Sequence, residues 1–136
     1  MDSILIALPI VGRFLIGFFY VFFGIWNLNH WSPTLDAMWQ KRIPLAVILL
    51  ALGILTQTIC GLMIIFGIYV KLAALILIPF VIIVVNIFHA FWQFEGEIRQ
   101  LNFLCYITHM TSSLAALILL LNTIEPNITL MALLTY

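Results

Sequence analysis

Two of the histidines lie inside long apolar runs of the sequence, where an imidazole is an unusual residue. His89 falls in the segment NIFHAFWQFEGE, residues 86–97, with aromatic neighbours on both sides, and His109 falls in the next apolar run. A neutral imidazole donates and accepts hydrogen bonds, and it also ligates metals. Both histidines are therefore candidates for ligand binding, and we expect them to face other helices because a polar group is costly in lipid.

Other polar residues accompany the histidines at helical spacing. In each apolar run, polar and small residues recur every three or four positions, which places them on one face of a helix. Such a face should point toward other helices, because lipid offers no hydrogen-bond partners. Over all the runs, the candidate ligand-binding residues are His89, His109, Tyr20, Tyr106, Asn86, Gln57 and Arg13.

The elements that position these residues are predicted to be transmembrane helices. Of the 136 residues, 65% are hydrophobic and only 7% are charged, which is far from the composition of a water-soluble domain. The charges separate apolar stretches at roughly 4–26, 43–70, 72–94 and 100–122, each near the ~20 residues that span a bilayer core. We predict a single all-α integral membrane domain over residues 1–136, an antiparallel up-down bundle of four transmembrane helices, because the links are short.

The longest link, 27–44, is predicted to contain an interfacial helix over about 33–41. Ser32 is the predicted N-cap and Pro33 the first helical residue. The tail, 123–136, is apolar but too short to span, so we expect it to lie at the membrane surface.

Basic residues indicate which end of the bundle faces the cytoplasm. The links 27–44 and 95–99 carry most of the lysines and arginines, which favours this end as cytoplasmic. Counting about 1.5 Å per residue from it puts His89 and Tyr106 at roughly 8–9 Å, and His109 at about 14 Å. The sequence thus predicts a polar layer near that membrane face.

The polar layer has two interpretations that the residues leave open. It is either a hydrogen-bonded seam that holds the helices together or the lining of a ligand pocket. Arg13 also has two interpretations. Its side chain either extends to the membrane surface or points inward to hold an anionic or carbonyl group.

Metal, haem and catalytic chemistry are disfavoured. No carboxylate or thiolate at the level of His89 and His109 completes a zinc set, and two histidines are a weak signal for haem. The acidic residues lie near the interfaces, away from the histidines, so we expect no metal and no catalysis by the chain alone. A net charge of zero argues against nucleic acid as a partner.

Three segments resemble a known family. VGRFLIGFFYVFFGIWNLN is similar to the first helix of DoxX-like membrane proteins, and CGLMIIFGIYVKLAALIL is similar to their second helix, basic turn and third helix. FHAFW, with the acidic loop and QLNFL after it, is the most specific match, since related sequences carry a histidine there. The resemblance covers about residues 11–122. It implies a four-helix membrane protein associated with redox chemistry, since some DoxX-like proteins are subunits of quinone-linked oxidoreductases.

The chain departs from the DoxX-like pattern at several charged positions. Gln57 stands where family members often have a glutamate, and Asn27 stands where a lysine often ends the first helix. Cys105-Tyr106 replaces a lysine-asparagine pair, while Arg13 and His89 are retained. The departures remove most of the charge pairing that the family pattern would place inside the bundle.

Two functions are compatible with these residues. The first is an accessory subunit or scaffold of a redox system, whose pocket receives a quinone head group, because histidine, tyrosine and asparagine suit its carbonyl acceptors. The second is a non-enzymatic binder, carrier or assembly factor for a small amphiphile or a membrane partner.

The expected surroundings follow from the same residues. No cofactor is certain, quinone is compatible and haem is disfavoured. The expected partners are the lipid bilayer, a membrane redox partner and a second copy of the chain, since the pairs Gly17/Gly24 and Gly53/Gly61 admit close helix contacts. The expected location is the bacterial inner membrane.

Overall fold

A computed structural model describes residues 2–122 as helices joined by short turns. The helices are α1 (Asp2–Asn29), α2 (Trp31–Gln40), α3 (Ala46–Phe66), α4 (Val70–Phe88), α5 (Gly96–Thr108) and α6 (Leu114–Asn122), with a 3-10 turn at Phe91–Gln93 and a π-helical turn at His109–Ser113. Four segments are long and apolar enough to cross a membrane: Ala7–Asn29, Ala46–Phe66, Val70–Gln93 and Gly96–Asn122. The prediction of an all-α protein with four transmembrane helices is confirmed. The tail predicted to lie at the membrane surface is outside the described residues.

Helices α1 and α3 pack tightly because glycines remove the side chains at their crossing. A Cβ on Gly17 would lie 2.5 Å from the Gly61 carbonyl oxygen, and a Cβ on Gly61 would lie 2.8 Å from the Gly17 carbonyl oxygen. A Cβ on Gly24, two helical turns farther along α1, would meet the side-chain hydroxyl of Thr58. The residue numbers at these contacts increase along α1 while they decrease along α3. The two helices are therefore antiparallel, as in an up-down bundle. These glycines meet partners within the chain, and the expected contact with a second copy stays a prediction.

Two of the helices end before the apolar runs do. Gly67 adopts a left-handed conformation with φ of 72°, and the N–H of Ile68 donates to the Met63 carbonyl at 2.9 Å, which closes α3 in a Schellman-type turn. α4 ends at Phe88, where the chain enters the turn that carries His89. The predicted ends at 70 and 94 lie beyond the observed ones, because hydropathy does not show where the backbone turns. α1 instead continues past the predicted 26 to Asn29.

A corner at His30 joins α1 to α2. α2 begins at Trp31 and His30 is the residue before it, so the predicted N-cap at Ser32 is wrong. The reason is that α1 runs to Asn29, which leaves a single residue for the corner. Leu35 and Met38 are the buried residues of α2, and they pack in one cluster with the start of α3. A helix therefore lies where the interfacial helix was predicted.

The bundle is filled in one half and hollow in the other. In the half nearest the α3–α4 turn, which we call the packed half, Ile64, Leu77 and Leu117 are completely buried in the main core. In the other half, which we call the hollow half, a smaller cluster joins α2, the α2–α3 link, the start of α3 and Phe88. Lys41 lies 5.9 Å from the ring centroid of Phe94, so the α2–α3 and α4–α5 links meet at this end.

Candidate ligand-binding site

A cavity of about 740 Å³ occupies the hollow half, between α1, α2, α3, α4 and the π-helical turn. This volume is within the range of small-molecule and cofactor sites. Its aromatic wall contains Phe19, Phe23, Trp26, Phe80 and Phe88, and its polar side chains are Tyr20, Asn27, His30, Thr34, Thr56, Gln57, His89, His109 and Ser113. The lining thus combines a large apolar surface with hydroxyl, amide and imidazole groups, which suits an uncharged amphiphile.

The imidazoles of His89 and His109 stack at one side of the cavity. Their ring centroids are 5.3 Å apart and their planes differ by 13°. The ring of Phe19 on α1 lies 6.3 Å from that of His109, and the Asn102 side chain lies beside His89. Because imidazole nitrogens donate or accept hydrogen bonds, the pair gives a polar edge to an otherwise aromatic wall.

His109 and Ser113, which both line the cavity, are the first and last residues of the π-helical turn. Within it, the Thr111 hydroxyl donates to the Ile107 carbonyl at 2.7 Å, and the Ser112 hydroxyl donates to the Thr108 carbonyl at 2.5 Å. Hydroxyls that bind carbonyls of the preceding turn compete with the normal helical ladder, and π-helical turns recur at functional sites. The signal in the sequence was the run of threonine and serine after His109.

Tyr20 and Gln57 place unpartnered polar atoms at the inner end of the cavity. Tyr20 is 4% exposed and Gln57 is 9% exposed, and both line the cavity. Among the described residues, neither the Tyr20 hydroxyl nor the Gln57 Oε1 has a hydrogen-bond partner. Ser113 is the hydroxyl that faces Tyr20, without the geometry of a hydrogen bond. Buried polar atoms are nearly always paired, so this end of the cavity is prepared for a polar group.

Asn86 and Tyr106 form a separate contact outside the cavity lining. The Tyr106 hydroxyl donates to Asn86 Oδ1 at 3.3 Å, and Asn86 Nδ2 donates to the Ile82 carbonyl at 2.7 Å. The Tyr106 ring also packs at right angles to that of Phe91, with 5.3 Å between their centroids. This contact joins α4 to α5 close to His89.

The cavity therefore brings together some of the predicted residues and not others. Tyr20, Gln57, His89 and His109 share its lining. Arg13 is partly exposed on α1 and, like the Asn86–Tyr106 pair, is not part of that lining. Helical spacing thus groups polar residues that face other helices. It does not show which of them line the cavity and which, like Asn86 and Tyr106, contact each other outside it.

The mouth of the cavity contains residues that the sequence did not identify as ligand-binding. His30 stacks on Trp26 with 4.1 Å between ring centroids, and its Nδ1 lies 2.9 Å from the Trp26 carbonyl oxygen. Both residues line the cavity, together with Thr34 of α2. The signal in the sequence is the position of His30 four residues after Trp26, which places the two rings on one face of a helix.

Metal-ligating groups do not cluster in the described part of the chain. Within residues 2–122, no three His, Cys, Asp or Glu side chains come close enough to hold a metal ion. Cys60 and Cys105 are free thiols. The groups available to a ligand in the cavity are therefore its imidazoles, hydroxyls and amides.

Comparison with known proteins identifies the family. The family model described as DoxX matches residues 8–90, which contain most of α1 and all of α2, α3 and α4. The match includes Tyr20, Gln57 and His89, whereas His109 lies beyond it. No curated protein and no solved structure matches the chain. Because the matched segment is more than half of the 136 residues, the chain belongs to the DoxX family of membrane proteins.

Proposed function

We propose that this protein binds a quinone head group in the cavity of its hollow half and serves as an accessory subunit or scaffold of a redox system. The observation that carries the proposal is the stacked His89–His109 pair set in an aromatic wall. A quinone head group is flat, has apolar faces and carries carbonyl acceptors at its edge. The aromatic rings match its faces, and imidazole N–H groups match its carbonyls.

Each candidate residue except Arg13 has a role in this proposal. His89 and His109 donate hydrogen bonds to the quinone carbonyls, while Tyr20 and Gln57 contact the part of the ligand that reaches the inner end. The Asn86–Tyr106 pair is a support, because its hydrogen bond joins α4 to α5 close to His89. The chain does not catalyse a reaction alone in this proposal, and a redox partner in the bacterial inner membrane supplies or removes the electrons.

The test is the amount of quinone that remains bound after purification. Full-length wild type and His109→Ala are purified in mild detergent from bacterial membranes, and lipid extracts are analysed by mass spectrometry against protein content. Thr108→Val is the control, because Thr108 is exposed on the same helix next to His109. We expect quinone with the wild type and the control, and at least a several-fold loss with His109→Ala. Equal, near-zero occupancy in all three would refute the proposal.

A second candidate function is that of a non-enzymatic binder or carrier of another neutral amphiphile. The unpartnered atoms of Tyr20 and Gln57 favour it, since a polar group other than a quinone carbonyl can also occupy the inner end. The same lipid extracts distinguish the two functions. A lipid other than quinone that is retained by wild type and lost from His109→Ala would support the carrier function.

A further inference from the structure

The inner end of the cavity is formed by polar side chains from three helical segments. Gly24 of α1 meets Thr58 of α3, and Gly61 of α3 meets Val21 of α1. The turn of α1 that carries Tyr20 therefore lies against the turn of α3 that carries Gln57. Ser113 of the π-helical turn lies beside Tyr20. All three side chains line the cavity.

Two of these side chains have hydrogen-bonding capacity that the protein does not use. Tyr20 and Gln57 are both more than nine-tenths buried and both line the cavity. Within residues 2–122, the Tyr20 hydroxyl and Gln57 Oε1 have no partner. A tyrosine hydroxyl can donate, whereas an amide oxygen can only accept. A group that accepts a hydrogen bond from Tyr20 and donates one to Gln57 Oε1 satisfies both atoms.

We propose that Tyr20, Gln57 and Ser113 form a subsite for the hydroxyl group of an uncharged lipid, either an alcohol or a phenol. The ligand hydroxyl accepts from Tyr20 and donates to Gln57 Oε1. A carbonyl cannot fill this role, because it has no hydrogen to donate to Gln57. The subsite rests on the cavity of the proposed function, and it selects the hydroxyl of an alcohol, a phenol or a reduced quinone, the quinol, over a carbonyl or ether group.

The apolar body of such a ligand has a route into the cavity from the bilayer. The cavity lining includes exposed residues of two helices. These are Leu52 of α3, which is 54% exposed, and Ile83 of α4, which is 58% exposed. The cavity therefore reaches the outer surface between α3 and α4. Gly53 leaves space there, since a Cβ on it would meet only the Phe80 ring, at 3.6 Å. The hydroxyl enters first and the apolar chain remains toward the lipid.

The test compares probes that differ only in the polar group. Binding of para-nonylphenol, its methyl ether para-nonylanisole, and para-nonylbenzaldehyde to the full-length protein in detergent is measured by calorimetry, with detergent alone subtracted. We expect the phenol to bind about tenfold more tightly than either of the others, which is the usual net effect of one or two buried hydrogen bonds. In Gln57→Leu, the preference should fall to nearly onefold, because the acceptor for the phenol hydrogen is absent.

Two further variants keep the result interpretable. Tyr20→Phe should also reduce the preference, and it serves if Gln57→Leu does not fold. Thr108→Val is the control with unchanged preference, since Thr108 is exposed and does not line the cavity. Equal binding of the phenol and its ether by wild type, binding of the aldehyde as tight as that of the phenol, or a preference that persists in both Gln57→Leu and Tyr20→Phe would overturn the subsite.

The outcome is distinguishable from that of the quinone experiment. A preference for the phenol in a protein that retains no quinone would leave the hydroxyl subsite standing and refute the quinone function. Retention of quinone without any preference among the probes would refute the subsite alone.

Discussion

Removal of two tyrosine hydroxyls in the same bundle should change stability in opposite directions. The Tyr20 hydroxyl is buried without a partner among the described residues, whereas the Tyr106 hydroxyl donates to Asn86 Oδ1 at 3.3 Å. An unpaired buried polar group costs roughly 1–3 kcal/mol, and a paired one contributes about 0.5–1.5 kcal/mol. In ligand-free protein, Tyr20→Phe should therefore raise the free energy of unfolding by up to about 1–3 kcal/mol, and Tyr106→Phe should lower it by about 0.5–1.5 kcal/mol.

The measurement is reversible unfolding of delipidated protein in mixed micelles with increasing sodium dodecyl sulfate, followed by far-ultraviolet circular dichroism. The two variants serve as controls for each other, because both remove one oxygen atom from a tyrosine and leave the ring in place. Addition of para-nonylphenol should then stabilise wild type more than Tyr20→Phe, since a ligand stabilises the form that binds it. If Tyr20→Phe loses as much stability as Tyr106→Phe, the Tyr20 hydroxyl is paired within the protein and the reasoning about the inner end of the cavity is wrong.

Three other substitutions test the packing around the site. Gly17→Ala should be about 1–3 kcal/mol less stable than Gly12→Ala in the same unfolding assay. The reason is that a Cβ at Gly17 meets the α3 backbone, whereas one at Gly12 meets nothing within 4 Å. Equal stability of the two variants would contradict the tight α1–α3 crossing. Gly67→Ala should cost about 1–2 kcal/mol by the same measurement, since an alanine is strained at a φ of 72°, and no loss would show that the turn tolerates another conformation. Gly53→Leu should fill the space beside Phe80 and weaken the binding of para-nonylphenol several-fold, with little change in the free energy of unfolding. Unchanged binding would exclude entry of the ligand between α3 and α4.

The transmembrane organisation was accessible from the sequence because its signal is strong. A span needs about 20 consecutive apolar residues, and the charges of this chain fall almost entirely between such runs. Tyr20, Gln57, His89 and His109 could be placed together for the same kind of reason, since a helical period puts polar residues on the face that avoids lipid.

The local geometry required information that the periodic pattern does not carry. The left-handed Gly67 ends α3 inside an apolar run, and hydropathy gives no sign of it. The π-helical turn changes the rotation of the chain at His109, which a constant period cannot represent. Spacing places Asn86 on the same face as His89, yet its hydrogen bond with Tyr106 satisfies it outside the cavity. Helical spacing thus identifies which residues face inward, and the contacts between helices decide which of them stay available to a ligand.

The separation of the packed half from the hollow half has a consequence for how this protein can evolve. Substitutions at the fully buried residues of the packed half, such as Ile64, Leu77 and Leu117, leave voids and are selected against through folding, whatever the protein binds. Side chains that line the cavity have space on the side that faces it, so exchanges there alter its shape and polarity and leave smaller voids. Related proteins can in this way diverge in the shape and polarity of the cavity while they keep the same packed half of the bundle.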